Sequence, residues 1–161
     1  MKSEHNEELL KFTYNYQKSE LEYRRNREHQ IFSWTASILL AIIAALFFKS
    51  PSTEILFKTQ NIAWRLLFSI VVIGLTIYSI GWQHYHNTKA ASHKKLIISI
   101  IDKLKLFDGN SPILSSKWRS WGTEYVGFRG QHKYPSKMSA TAFLGIVGLL
   151  AIWIDFILKM N

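Results

Sequence analysis

Three stretches of this chain carry almost no charge, and that pattern limits the fold more than any other feature. The first is Ile31 to Phe48, IFSWTASILLAIIAALFF, 18 residues without a charge. The second, Leu66 to Trp82, LLFSIVVIGLTIYSIGW, is also uncharged. The third, Met138 to Leu158, has a single charge, Asp155, in its last turn. A hydrocarbon core of about 30 Å takes about 20 residues of helix. The first two runs are at the short end of that range, but Trp34, Trp64 and Trp82 lie at or near their ends, where tryptophan suits the headgroup layer. The alternative is core helices of a soluble protein, and it fits less well because such helices normally keep a polar face.

The first run reads as a retained span and not as a cleaved leader. Its n-region would be 30 residues long and hold six glutamates, and no small-x-small cleavage site follows. Lysine and arginine counts then set the direction. Of the 20 basic residues, six lie in residues 1–30 and ten in 83–137, against three in 49–65 and one, Lys159, in the tail. The N-terminus and residues 83–137 are therefore expected in the cytoplasm, and the C-terminus outside.

With 161 residues the chain holds one domain. It has no cysteine, which excludes a disulfide framework, a thiolate nucleophile and a cysteine zinc site. The net charge of +9 is concentrated outside the apolar runs.

Residues 4–30 read as a helix. Leu9, Phe12, Tyr16, Leu21 and Tyr23 recur near helical spacing with no glycine or proline between them. Glu4, Glu7 and Glu8 stand at its start, where the helix dipole favours them. The helix is expected to run into the first span unbroken. That sets Arg24, Arg25 and Arg27 at the inner headgroup layer, for anionic-lipid contact in preference to substrate binding.

After Trp82, Ile97, Ile100, Ile101 and Leu104 form an apolar stripe among lysines. Asp108 to Asn110 and Pro112 stop the helix. The second span and this helix can form one rod of about 60 Å at about 1.5 Å per residue. Its stripe needs a cover: the N-terminal helix, another copy, or both. Trp118, Trp121 and Tyr125, beside Lys117 and Arg119, suit a short helix lying in the interface. Gly127, Gly130 and Pro135 then mark a loop into the third span.

Small residues recur every four positions in the first span, at Ser33, Ser37, Ala41 and Ala45, and Thr141, Gly145 and Gly148 lie on neighbouring faces of the third. Such residues let helix backbones approach closely in lipid, within one chain or between chains. In the second span Ser69, Thr76 and Ser79, followed by Gln83, share one side. They either line a water-filled path or bond back to helix carbonyls. No charge lies mid-span, which argues against a proton relay or an ion-coupled transporter.

His84, His86 and His93 suggest a metal set, but His84 and His86 are two residues apart on a helix, so they point to different faces, and no acidic residue is nearby. That is a poor metal set. Arg24 and His29 have the R-x4-H spacing of a HEPN ribonuclease motif. Next to a bilayer they lack a cleft, so a membrane-bound ribonuclease is the least favoured class. No P-loop, dinucleotide fingerprint or Ser-His-Asp arrangement is recognisable, and neither a cofactor nor an enzyme activity is expected.

The order of parts resembles small bacterial defence effectors of the SLATT type. A cytoplasmic helix with a basic end, YRRNREHQ, runs into a first span. A second span then continues into a basic helix, HYHNTKAASHKKLIISIIDKLKLF. The resemblance covers residues 10–107, and the third span departs from the family's two-span layout. It implies an oligomeric pore in the bacterial inner membrane that opens on a partner's signal.

The expected fold is an all-α integral membrane protein with three transmembrane helices. Its segments are 1–30 cytoplasmic helix, 31–48 first span, 49–63 external loop, 64–82 second span, 83–137 cytoplasmic helix and loop, and 138–158 third span. The expected function is an oligomeric channel or membrane-perturbing effector in antiphage defence. Ser33, Ser37, Ala41, Ala45, Ile97, Ile100, Ile101, Leu104, Gly145 and Gly148 are expected to pack the oligomer, and Ser69, Thr76 and Ser79 to line the pore. Lys94, Lys95, Lys117, Arg119 and Arg129 would form a basic cytoplasmic face for an acidic partner protein, a nucleotide or a nucleic acid. The alternative is a non-conducting membrane subunit that docks a cytoplasmic partner.

Overall fold

The computed structural model describes residues 2–47, 62–104, 121 and 136–160, and among these residues the chain is all helical. Helix α1 spans Lys2–Phe47, α2 spans Ile62–Lys103 and α3 spans Lys137–Met160. All three are long and apolar enough to cross a bilayer. With 46 and 42 residues, α1 and α2 are each about twice as long as a bilayer core needs. No proline interrupts either helix, so nothing in the sequence removes a ladder hydrogen bond. Ser136 caps α3: its Oγ accepts from the Ser139 backbone N–H at 3.1 Å. The expected junctions hold, because helix 4–30 continues into the first span and the second span continues into the basic helix.

The chain divides into two compact units: Met1–Glu28 with His84–Gly127, and His29–Gln83 with Phe128–Asn161. The first two of these divisions fall within a few residues of the start of the first apolar run and the end of the second.

In the first unit, Leu21 of α1 packs against Ala90, Ile97 and Ile101 of α2, with Tyr14, Ile98 and Trp121 around them. Ala90 is small, and Leu21 fits against it. Of the covers expected for the stripe, the N-terminal helix is the one seen within one chain: Ile97, Ile100 and Ile101 are 4%, 7% and 3% exposed. Leu104 is half-buried. The five N-terminal apolar residues do not share a face. Leu21 points inward, while Leu9, Phe12, Tyr16 and Tyr23 are exposed.

In the second unit each helix gives one residue to the buried centre: Leu39 from α1, Val72 from α2 and Ile152 from α3. Gly145 and Gly148 let α3 lie close. A Cβ on Gly145 would meet Thr76, and one on Gly148 would touch Val72 and Ile43.

The external loop, the stop at Asp108–Pro112, and Lys117, Trp118, Arg119, Tyr125 and Arg129 lie outside the described residues.

Candidate functional site

Two groups of polar side chains stand out, one in each unit. In the second unit, Arg65, Ser69, Val72, Thr76, Ser79 and Gln83 follow one another along α2 at alternating steps of four and three. That is the 3.5-residue period of a helix–helix seam. All six are buried except Thr76, which is half-buried, and five of the six are polar.

These groups bond to the two neighbouring helices. Ser79 and Thr35 hydroxyls lie 2.7 Å apart, and Thr35 Oγ1 also donates to its own Ile31 carbonyl at 2.8 Å. A hydroxyl has one proton, so Ser79 donates and Thr35 accepts. Gln83 Nε2 donates to Thr141 Oγ1 at 2.9 Å, and Thr141 donates back to the Lys137 carbonyl. Trp153 Nε1 donates to Ser69 Oγ at 3.0 Å. The Arg65 guanidinium donates to the Ile152 carbonyl. Interhelix bonds of this kind contribute about 0.6 kcal/mol each in lipid, and up to about 1.7. Thr76 donates to the Val72 carbonyl at 2.7 Å. One amide oxygen, Gln83 Oε1, is buried with no hydrogen-bond partner.

The surface of this unit is the reverse of its interior. Seventeen large apolar side chains are exposed among its described residues, including Trp34, Ile70, Ile77 and Phe143. Monomeric soluble proteins rarely expose contiguous apolar patches larger than a few hundred Å², and the three helices that carry these side chains are long and apolar enough to cross a bilayer.

The first unit gathers cations, histidines and rings. Lys94 is buried, and its Nζ lies 5.3 Å from the Trp121 ring centre, with Arg25 at 5.9 Å from the same ring. A cation on a ring contributes about 0.5–2 kcal/mol, the upper end when desolvated. Arg24 pairs with Glu20 at 3.5 Å, and Lys89 lies over Tyr85. His93 Nδ1 is 2.6 Å from Gln17 Oε1, so that nitrogen carries the proton. His86 meets the edge of Tyr85. Burial lowers the pKa of both histidines; Arg24 and Arg27 add to the shift at His86. At His93, Glu20 opposes the shift while Arg24 and Lys89 add to it. Both rings are therefore neutral at pH 7 within a positively charged setting.

The residues singled out from sequence fall as follows. Ser33, Ser37, Ala41 and Ala45 are all exposed. Gly145 and Gly148 pack within the chain. Ser69 and Ser79 bond to the chain's own neighbouring helices, and Thr76 bonds back to the Val72 carbonyl of its own helix. Arg25, Arg27 and Lys95 are exposed, Arg24 is half-buried and Lys94 is buried. Arg24 and His29 sit five residues apart on α1, about 140° around a helix. No group of three metal-ligating side chains occurs among the described residues.

The partners Thr35, Arg65, Trp153 and Gln17 were not foreseen. The four–three spacing from Arg65 to Gln83 would have pointed to Arg65, but no comparable pattern marks Thr35 or Gln17. No protein-family model matches the chain, and neither a curated protein nor a solved structure is similar to it.

Proposed function

We propose that the protein is an oligomeric inner-membrane effector that perturbs the bilayer barrier as a channel and is controlled from the cytoplasm. In this reading the second unit is the bilayer part, and the first is the cytoplasmic control surface. The observation that carries it is the reversed second unit, with hydrogen-bonded polar groups inside and large apolar side chains outside. Lipid is the solvent in which that arrangement is favourable. The layout shared with SLATT-type effectors supports an oligomer and a role in antiphage defence.

The polar seam of α2 is occupied within each chain, so a conducting path forms between copies. The basic residues of the first unit draw anions and repel cations at low salt. An acidic protein, a nucleotide or a nucleic acid that prefers the open state shifts the equilibrium toward it.

A second reading is a non-conducting subunit that docks a cytoplasmic partner. It is favoured by the internal bonding of Ser69 and Ser79, which leaves one chain without a polar path.

Reconstitution separates the two. The purified protein in liposomes is expected to release a trapped dye or pass current, and Lys89→Glu with Lys95→Glu is expected to shift the ion preference toward cations. No leak or current with any class of anionic trigger, together with an intact membrane potential on overexpression, replaces the channel with the docking subunit.

A further inference from the structure

The outer face of α1 in the first unit is uncharged where the rest of that helix is not. Leu9, Phe12, Tyr16, Ser19 and Tyr23 follow at steps of three, four, three and four, and all are exposed. Phe12 is 70% exposed. Charged residues stand at 7, 8, 11, 18, 20, 22, 24, 25, 27 and 28, and none enters this row. The opposite face, with Tyr14, Gln17 and Leu21, is already occupied by α2. The helix therefore has two seams, and among the described residues its own chain fills the inner one.

We infer that the Leu9–Tyr23 row is the docking surface for a second copy of this chain, helix parallel to helix. The inference rests on the membrane reading above. Copies inserted the same way in one bilayer present this helix in the same direction, so a two-fold pair about the membrane normal is parallel. Taking Leu9, Tyr16 and Tyr23 as a positions and Phe12 and Ser19 as d positions, Glu22 falls at g and Arg27 at e. In a parallel pair a g residue meets the e residue five positions on in the partner. Glu22 thus faces Arg27 of the second copy, twice by symmetry, with no like-charge pair at the other flanking positions. Arg27 is held beside the seam: its Nε donates to the Tyr23 hydroxyl at 3.3 Å, and its guanidinium lies over that ring.

In sequence the same alternation continues through Asn26, Gln30, Ser33 and Ser37, all exposed. The seam thus passes from aromatic to small polar residues, the kind that let helices approach in lipid. The two heptads of the Leu9–Tyr23 row are weak in free solution. Confinement in a bilayer raises the effective concentration enough for them to pair.

The chain has no cysteine, so single cysteines can be placed in the full-length protein without background. In membranes under mild oxidation, Ser19→Cys is expected to cross-link to itself at least tenfold faster than Lys18→Cys. Both positions are exposed, but only Ser19 lies on the row. Adding Phe12→Asp is expected to slow the Ser19→Cys reaction at least fivefold. Phe12 is too exposed to hold the chain's own fold, and circular dichroism checks that helicity is unchanged. Adding Glu22→Arg is expected to slow the reaction, and adding Arg27→Glu to that variant to restore it.

Equal cross-linking at 18 and 19, or a Ser19 rate unmoved by Phe12→Asp, overturns the docking surface and leaves the row to lipid headgroups or another protein. Resistance to alkaline extraction is read on the same samples. A protein that stays in the membrane but fails to cross-link sinks this inference alone, while one released by alkali sinks the membrane reading beneath it.

Discussion

Gly145 brings α3 so close to α2 that a methyl group there would sit 2.5 Å from Thr76 Oγ1 and 2.9 Å from its Cγ2. Gly145→Ala must therefore turn Thr76 out of its bond to the Val72 carbonyl or separate the helices. The expected cost is about 1–3 kcal/mol, as for other overpacked interiors. Thr76→Ala removes both close atoms and is expected to restore most of the loss in the double variant. Gly74→Ala and Gly81→Ala serve as controls, because a Cβ meets nothing within 4 Å at either position. They are expected to be neutral or slightly stabilising, since glycine disfavours helix by up to about 1 kcal/mol. Unfolding in mixed micelles measures all four. At this scale the sequence marks Gly145 as a place of close approach but does not name Thr76 as the residue approached. That pairing depends on how α3 is rotated against α2, which spacing within α3 alone leaves undetermined.

Two histidines of the first unit, His86 and His93, have lowered pKa values. His86 faces Arg24 and Arg27, and His93 faces Gln17, Glu20 and Arg24 with Lys89 from its own helix. Both pKa values are lowered, so the unfolded chain takes up protons first as pH falls. The histidines' contribution to stability is complete above about pH 6.5, the ordinary histidine value, and is lost as pH drops through the lowered folded values. Amide exchange in residues 10–28 and 84–103 is expected to quicken below about pH 6.5, and His86→Phe with His93→Gln to flatten that response. An exchange profile equally steep in the double variant would assign the acid sensitivity to other groups. The continuity of α1 and α2 was legible because no proline interrupts them. The two-faced character of α1 was not. Leu21 and Leu9 both fit a loose helical spacing with Phe12 and Tyr16, and only the position of α2 separates inward from outward. For the same reason the sequence left the cover of the Ile97 stripe open between the N-terminal helix and another copy, where Leu21, Tyr14 and Trp121 contribute within the chain.

For the whole molecule, charge along the sequence is the guide to direction. With residues 1–30 and 83–137 inside, sixteen of the 20 lysines and arginines lie in the cytoplasm. Single cysteines at Ser3, Ser52 and Asn161 report this with an impermeant reagent on intact cells. Ser52 and Asn161 are expected to label, and Ser3 only after lysis; labelling at Ser3 from outside reverses the topology. The three apolar runs were legible as three long helices because charge stops where they begin. The bonds that join them were less so, because a hydroxyl in an apolar run reads the same whether it meets its own backbone or a neighbour. The reversed second unit also bears on engineering. A common route to a water-soluble version of a membrane protein is to recolour its outer face, replacing exposed leucine and isoleucine with glutamine or glutamate. Among the described residues, that leaves a centre with Leu39, Val72, Met138 and Ile152 as its enclosed apolar side chains, worth about 1.5–3 kcal/mol each. The remaining interior, Thr35, Ser69, Ser79, Gln83 and Thr141, would find water as good a partner as each other. On the membrane reading proposed above, the recoloured protein is expected to hold its three helices together less firmly than the chain in lipid.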